Sequence, residues 1–230
     1  MKTVTSRPRV ALIHALAQSQ PPVLAAFAAL WPEAETFNLL EDSLAPDLAA
    51  AGGLNQAMLD RFVTLGRYAA QCGAGGRSTD GILFTCSAFG PAIEQVKSIL
   101  SIPVLKPNEA AFEQALELGE HIGLVVTFAS ALPPMLAEFQ AMTQSRRLRV
   151  KIEAKLADGA LEALRQGSFE KHDELIAEAA HSLGNVDALI LGQFSMARAA
   201  PITVARTGRK VLTTPDTAVK KLRDLISSRG

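Results

Sequence analysis

Short apolar blocks recur along the chain. Each is followed by small polar residues and then by a stretch in which apolar positions return every three or four residues. Residues 10–15 (VALIHA), 36–40, 82–85 and 102–105 read as strands, and 122–127 (IGLVVT), 148–152, 188–191 and 211–212 as four more. Continuous apolar runs this short predict strands buried in a parallel sheet. Helices are expected after Pro21-Pro22 (VLAAFAALW), over 55–70 with Met58, Phe62, Leu65 and Ala69 on one face, over 88–100 and over 108–119. In the second half they are expected over 132–142 (opened by Pro133-Pro134), 161–164, 174–183 and 217–227. Proline suits the first turn of a helix, where its missing N–H has no partner to lose. The glycines at 73, 75 and 76 are expected to end the helix before them. Strands alternating with helices predict an α/β fold, a parallel sheet with helices on both faces.

The order of elements repeats, and so does the sequence. Residues 80–88 read DGILFTCSA and residues 187–195 read DALILGQFS, an offset of 107 that also pairs Val104-Leu105 with Val211-Leu212. Two similar lobes related by internal duplication follow, each a parallel sheet flanked by helices, pseudo-twofold related, with a site in a cleft between them. Residues 1–107 with 213–230 form the expected first lobe, the closing helix packing back onto it, and 108–212 the second. The repeat breaks at one informative place: Cys86 falls opposite Gln193.

Composition narrows the class. The chain has 230 residues, 48% of them hydrophobic and 20% charged, which suits a globular protein with a substantial core. Its 23 basic residues balance 23 acidic ones, so there is neither a nucleic-acid footprint nor a polybasic membrane patch. No apolar run reaches the length of a membrane span, and the apolar run near residue 10 is broken by His14, so it reads as a strand rather than a secretory signal. Two cysteines, Cys72 and Cys86, give no disulfide framework, and a reduced, cytoplasmic setting is expected. No His/Cys/Asp/Glu group has metal-ligand spacing. The glycines at 73, 75 and 76 follow no strand and precede no Lys-Ser/Thr, so they make no phosphate loop.

In sheets of this kind ligands bind beyond the carboxyl ends of the strands. The residues there are His14, the cluster Thr85-Cys86-Ser87-Ala88, Thr127 with Ser130, the cluster Gly192-Gln193-Phe194-Ser195, and Thr213-Thr214. Cys86 leads the set. At a strand end, just before a helix, free N–H groups and the helix dipole are expected to lower its thiol pKa and make a base or nucleophile of it. Its polar neighbours Thr85 and Ser87 set it apart from a buried structural cysteine; Cys72, at a helix end with no polar cluster, reads as structural. His14 is either an acid–base group at the site or a hydrogen-bonded strand-end residue. Ser130 is either a substrate-binding hydroxyl or a helix N-cap. Phe89, Phe128 and Phe194 either shape an apolar side of the pocket or pack in the core. His172-Asp173 reads as a helix cap, and His121 and His181 as structural.

The motif TCSAFGPAIE after a strand, the two repeated lobes, the IHA strand end and the closing VLTTPDTAV segment resemble the aspartate/glutamate/hydantoin racemase superfamily, over nearly the whole chain. The resemblance implies an enzyme acting at the carbon next to a carboxylate of a small acid, with neither metal nor organic cofactor, and suggests a homodimer. In glutamate and aspartate racemases one cysteine from each lobe serves each face of the substrate carbon. Cys86 matches the first, and Gln193 stands where the second would be. A glutamine amide donates and accepts hydrogen bonds but does not exchange a proton near neutral pH. Three one-cysteine chemistries remain: one-face protonation, as in the related arylmalonate decarboxylases; attack on an activated double bond, as in the related maleate cis-trans isomerases; or racemisation with another group, such as His14, on the second face. Ser87, Ala88, Thr127 and Ser195 would hold carboxylate, and Gln193 would orient substrate or stabilise charge. The alternative of another class is a non-catalytic small-acid binding protein.

Overall fold

The computed structural model describes residues 7–73 and 78–229. The expectations placed on Gly75 and Gly76 lie outside the described residues. Tertiary contacts divide the chain into two units, Met1–Lys106 with Val219–Gly230, and Pro107–Ala218.

The first unit runs β1 (Arg9–His14), α1 (Gln20–Leu30), β2 (Glu35–Leu40), α2 (Leu44–Ala51), α3 (Gln56–Gln71), β3 (Gly81–Phe84), α4 (Gly90–Ile99) and β4 (Val104–Leu105). Its four strands are parallel in the order β2-β1-β3-β4. Alternate residues of β1 and β3 serve opposite faces. Ala11, Ile13, Ile82 and Phe84 pack with Phe62 and Ala69 of α3 and Ile93 and Val96 of α4. On the other face Gly81 lies against the C-terminal helix: a Cβ at this position would stand 2.7 Å from Ile226 Cδ1 and 3.1 Å from Leu222 Cδ1.

The second unit repeats this plan with α5 (Glu109–Leu118), β5 (His121–Val126), α6 (Leu132–Ser145), β6 (Lys151–Leu156), α7 (Ala160–Arg165), α8 (Phe169–Ser182), β7 (Ala188–Leu191), α9 (Ala200–Thr207), β8 (Lys210–Thr213) and α10 (Thr214–Ser227). The sheet order is β6-β5-β7-β8, again parallel. Leu124, Val126, Ile190 and Leu212 pack with Phe112, Met135 and Phe139, while Val125, Leu189 and Leu191 pack with Ala160, Ile176 and Ala180. The helix after each fourth strand changes unit. α5, which follows β4, belongs to the second, and α10 begins in the second and from Val219 belongs to the first.

The repeated aspartates have a structural reason. Asp80 Oδ2 accepts the Arg9 N–H at 2.7 Å, and Asp187 Oδ2 accepts those of Glu120 and His121, each at 2.9 Å. Each thus ties the start of a central strand to the start of its neighbour.

Several elements differ from the sequence expectation. β6 forms at Lys151–Leu156, later than 148–152, because the alternating residues that pair with β5 are those of KIEAKL. α2 and α9 were hidden by Pro46 and by the small residues before Pro201. The helix expected over 88–100 is a 3₁₀ turn at Ser87–Phe89 followed by α4. No described helix is long and apolar enough to cross a membrane.

Candidate functional site

The tips of β3 and β7 are built alike. The Thr85 N–H donates to the Ile13 carbonyl at 3.0 Å, and the Gly192 N–H to the Val125 carbonyl at 2.8 Å, each extending the ladder one residue past its strand. The next residues, Cys86 (φ −118°, ψ 120°) and Gln193 (φ −122°, ψ 150°), are both extended, and both lead into a 3₁₀ turn. Cys86 and Gln193 therefore occupy one backbone position in two copies of one fold.

Cys86 borders a small hollow with Ile13, His14, Ala15, Leu44, Phe62 and Phe84. Burial pushes its thiol up from the ordinary 9.0 to about 11, and a hydrogen bond from the Ala88 backbone pulls it down by less. This corrects the expectation of an acidified thiol. A 3₁₀ turn separates Cys86 from the first residue of α4, and desolvation of the thiolate outweighs the stabilising hydrogen bond. Ser87 and Ala88, on that turn, are half-buried.

His14 is fully buried, with both ring nitrogens engaged. Nδ1 lies 2.8 Å from Thr85 Oγ1 and Nε2 2.9 Å from Asn38 Oδ1. Burial lowers its pKa below 6.5, against a smaller raising effect of the Asn38 bond. A neutral ring fits both contacts when Nε2–H donates to Asn38 and the Thr85 hydroxyl donates to Nδ1. The acid–base reading of His14 is thereby corrected: it is a locked strand-end residue, and the buried Thr85 hydroxyl is occupied in locking it.

In the second unit the Gln193 Oε1 accepts the Thr127 N–H at 2.9 Å and lies 3.4 Å from the Thr127 hydroxyl. These bonds fix the amide so that Nε2 is its donor end, and this buried Nε2 has no protein partner. An unpaired buried donor is costly, and a ligand oxygen would satisfy it. Ser195 is half-buried on the 3₁₀ turn after Gln193. Ser130 is exposed inside the 3₁₀ turn Ala129–Ala131; the N-cap of α6 is Ala131, so the capping alternative is corrected. Phe194 is also corrected: it is buried in the core of its unit, like Phe89, while Phe128 is exposed. The hydroxyls of Thr213 and Thr214 are buried and unpartnered. His172 is fully buried, with Nδ1 2.8 Å from Asp173 Oδ1, rather than a solvated cap.

Sequence reasoning missed Asn38 and Leu44. A polar residue interrupting the apolar strand ETFNLL signals Asn38, whereas nothing local distinguishes Leu44 from the other leucines. Among the described residues no group of three His, Cys, Asp or Glu is placed to hold a metal ion.

The family model for Asp/Glu/hydantoin racemases matches residues 11–222. The chain belongs to this racemase family. Solved structures of similar fold include glutamate racemase isoform RacE1 of Bacillus anthracis, with a TM-score of 0.75 and 13% identity over 98% of this chain and 84% of that one. Allantoin racemase of Pseudomonas fluorescens gives 0.68 at 20% identity, over 96% and 92%. An aspartate racemase homologue of Pyrococcus horikoshii OT3 gives 0.62 at 17% identity, over 95% and 99%. No curated protein matches the chain. At such identities the likeness is one of fold. Within the racemase family this member carries a glutamine at the β7 tip where its β3 tip carries a cysteine.

Proposed function

We propose that the chain is a cofactor-independent enzyme acting at the carbon next to a carboxylate of a small acid, with Cys86 as its single proton-transferring group. The observation that carries this reading is the equivalence of the two strand tips, of which only the β3 tip bears a side chain able to exchange a proton. Gln193 contributes a hydrogen-bond donor through Nε2, and its Oε1 is already taken by Thr127. Thr127 in turn contributes the surface that orients that amide, while Ser87, Ala88 and Ser195 offer further hydrogen bonds to carboxylate.

Two features favour one-face protonation over racemisation. A thiol raised to about 11 rests protonated at neutral pH, so it gives a proton more readily than it takes one. His14, neutral and bonded through both nitrogens, offers no second base. In a malonate-type acid the C–C bond to one carboxyl breaks and carbon dioxide leaves. The electron pair stays as an enolate stabilised by hydrogen-bond donors. The Cys86 proton passes to the α-carbon, and solvent reprotonates the sulfur.

The test is incubation in deuterated water with amino acids, hydantoins, substituted malonates and maleate, followed by NMR, for the native protein, Cys86→Ser and Gln193→Cys. Loss of a carboxylate with one deuterium gained, abolished in Cys86→Ser, is the expected result. Deuterium entry with inversion in the native protein would show a second base and overturn the role given to Gln193. Inversion only in Gln193→Cys would support it. Turnover that survives Cys86→Ser would sink the reading, and binding without turnover would make this a binding protein.

A further inference from the structure

We propose that α2 is a lid on the hollow beside Cys86 and that Arg61 is the clasp that holds it shut. Leu44, the first residue of α2, is buried in the apolar core of its unit and also walls the hollow next to His14 and Cys86. Beyond Leu44, α2 is weakly anchored. Leu48 is only partly buried, and Asp47, Ala49, Ala50 and Ala51 are exposed. The helix stops at Gly52 (φ 68°), and Gly53 follows at φ 153°, both with open space around the Cα. Left-handed glycines at the end of a short helix let it swing without steric penalty.

One guanidinium fastens this segment from α3. Arg61 Nη1 donates to Asp47 Oδ2 at 2.6 Å, in the first turn of α2. Nη2 donates to Ser43 Oγ at 2.6 Å and also to Glu41 Oε2. The Ser43 hydroxyl donates to Glu41 Oε1 at 2.6 Å. Arg61 thus grips α2 and the chain leading into it, while the next residue of α3, Phe62, forms another wall of the hollow. Isolated surface ion pairs contribute little, but a forked Arg holding two carboxylates and a hydroxyl is a network, and it remains weak enough to open. Elements of low local stability are those that gate ligand access. Arg61 is here a positioning residue: it acts on Cys86 only through the wall that it holds.

The test reads thiol accessibility in the full chain and assumes nothing about what Cys86 does, so it can fail while the proposed function stands, and the reverse. The protein is treated with iodoacetamide, and the labelling rates of Cys86 and Cys72 are separated by peptide mass mapping. Arg61→Ala is expected to raise the Cys86 rate by about tenfold with the Cys72 rate and Tm little changed. Arg61→Lys, which keeps a charge but loses the fork, is expected to fall between. Native protein in about 0.5 M sodium chloride should label faster at Cys86, and Arg61→Ala should not respond to the salt. Equal Cys86 rates in native protein and Arg61→Ala, or a joint rise at both cysteines, would overturn the proposal. Should Arg61→Ala fail to fold, absence of a salt effect on the native protein overturns it equally.

Discussion

Cys86 and Gln193 share a backbone position but differ in their surroundings. Cys86 lies against Ala15 and apolar rings; Gln193 is bonded to Thr127, beyond the end of β5. The apolar setting raises the thiol pKa, and the polar one leaves an amide donor unfilled. His14 gives the clearest pH signature at this scale. Its folded pKa lies below 6.5, so the unfolded chain binds the proton more tightly. The stability that a neutral His14 contributes is therefore complete above 6.5 and is lost as pH falls from there towards the lowered folded value. Thermal melts between pH 7.5 and 5 should show this loss in the native protein and a flatter profile in His14→Gln. The sequence was explicit about which residues reach the strand tips, since strand ends follow from apolar runs. It was silent on burial of the Cys86 thiol and the partners of His14, because both depend on Leu44, Phe62 and Asn38, brought in from other elements.

At the scale of elements, the aspartates before β3 and β7 do more than start a strand. Asp187 holds two N–H groups of the segment leading into β5, and Asp80 holds one leading into β1. Asp187→Ala should destabilise the protein by about 1–2 kcal/mol in urea titrations, more than Asp80→Ala. Gly119 belongs to the same junction, since a Cβ there would collide with Asp187. The central strands were legible because they are uniformly apolar; β7 forms at 188–191, as the sequence indicates. Edge strand β6 was misplaced because half of its residues face outward, and RVKIEAKL offers more than one alternating register. α2 was illegible for a related reason: its single deep anchor, Leu44, gives no periodic signal, and the segment rests instead on Arg61, a distant charge.

At the scale of the molecule, the duplicated order predicted two parallel sheets, and both are present. The end of α10 supplies cover for the first. Val219 and Leu222 are fully buried, and Leu222 lies against Gly81 of β3. Leu222→Ala should therefore destabilise the fold by about 2–5 kcal/mol in chemical denaturation, although the substitution lies near the end of the chain and far from β3 in sequence. The closing helix was expected on the first lobe from residue 213, whereas tertiary contacts group it with the first unit from Val219.

The crossing of α5 and α10 also sets an order of events during synthesis. A nascent chain emerges from its amino end, and domains fold as their residues appear. The strands of the unit that carries Cys86 are finished before the other unit has begun. Yet the helix that covers Gly81 comes after the whole second unit in the chain. The first sheet must therefore wait, with Gly81 not yet covered by that helix, while the whole second unit is made.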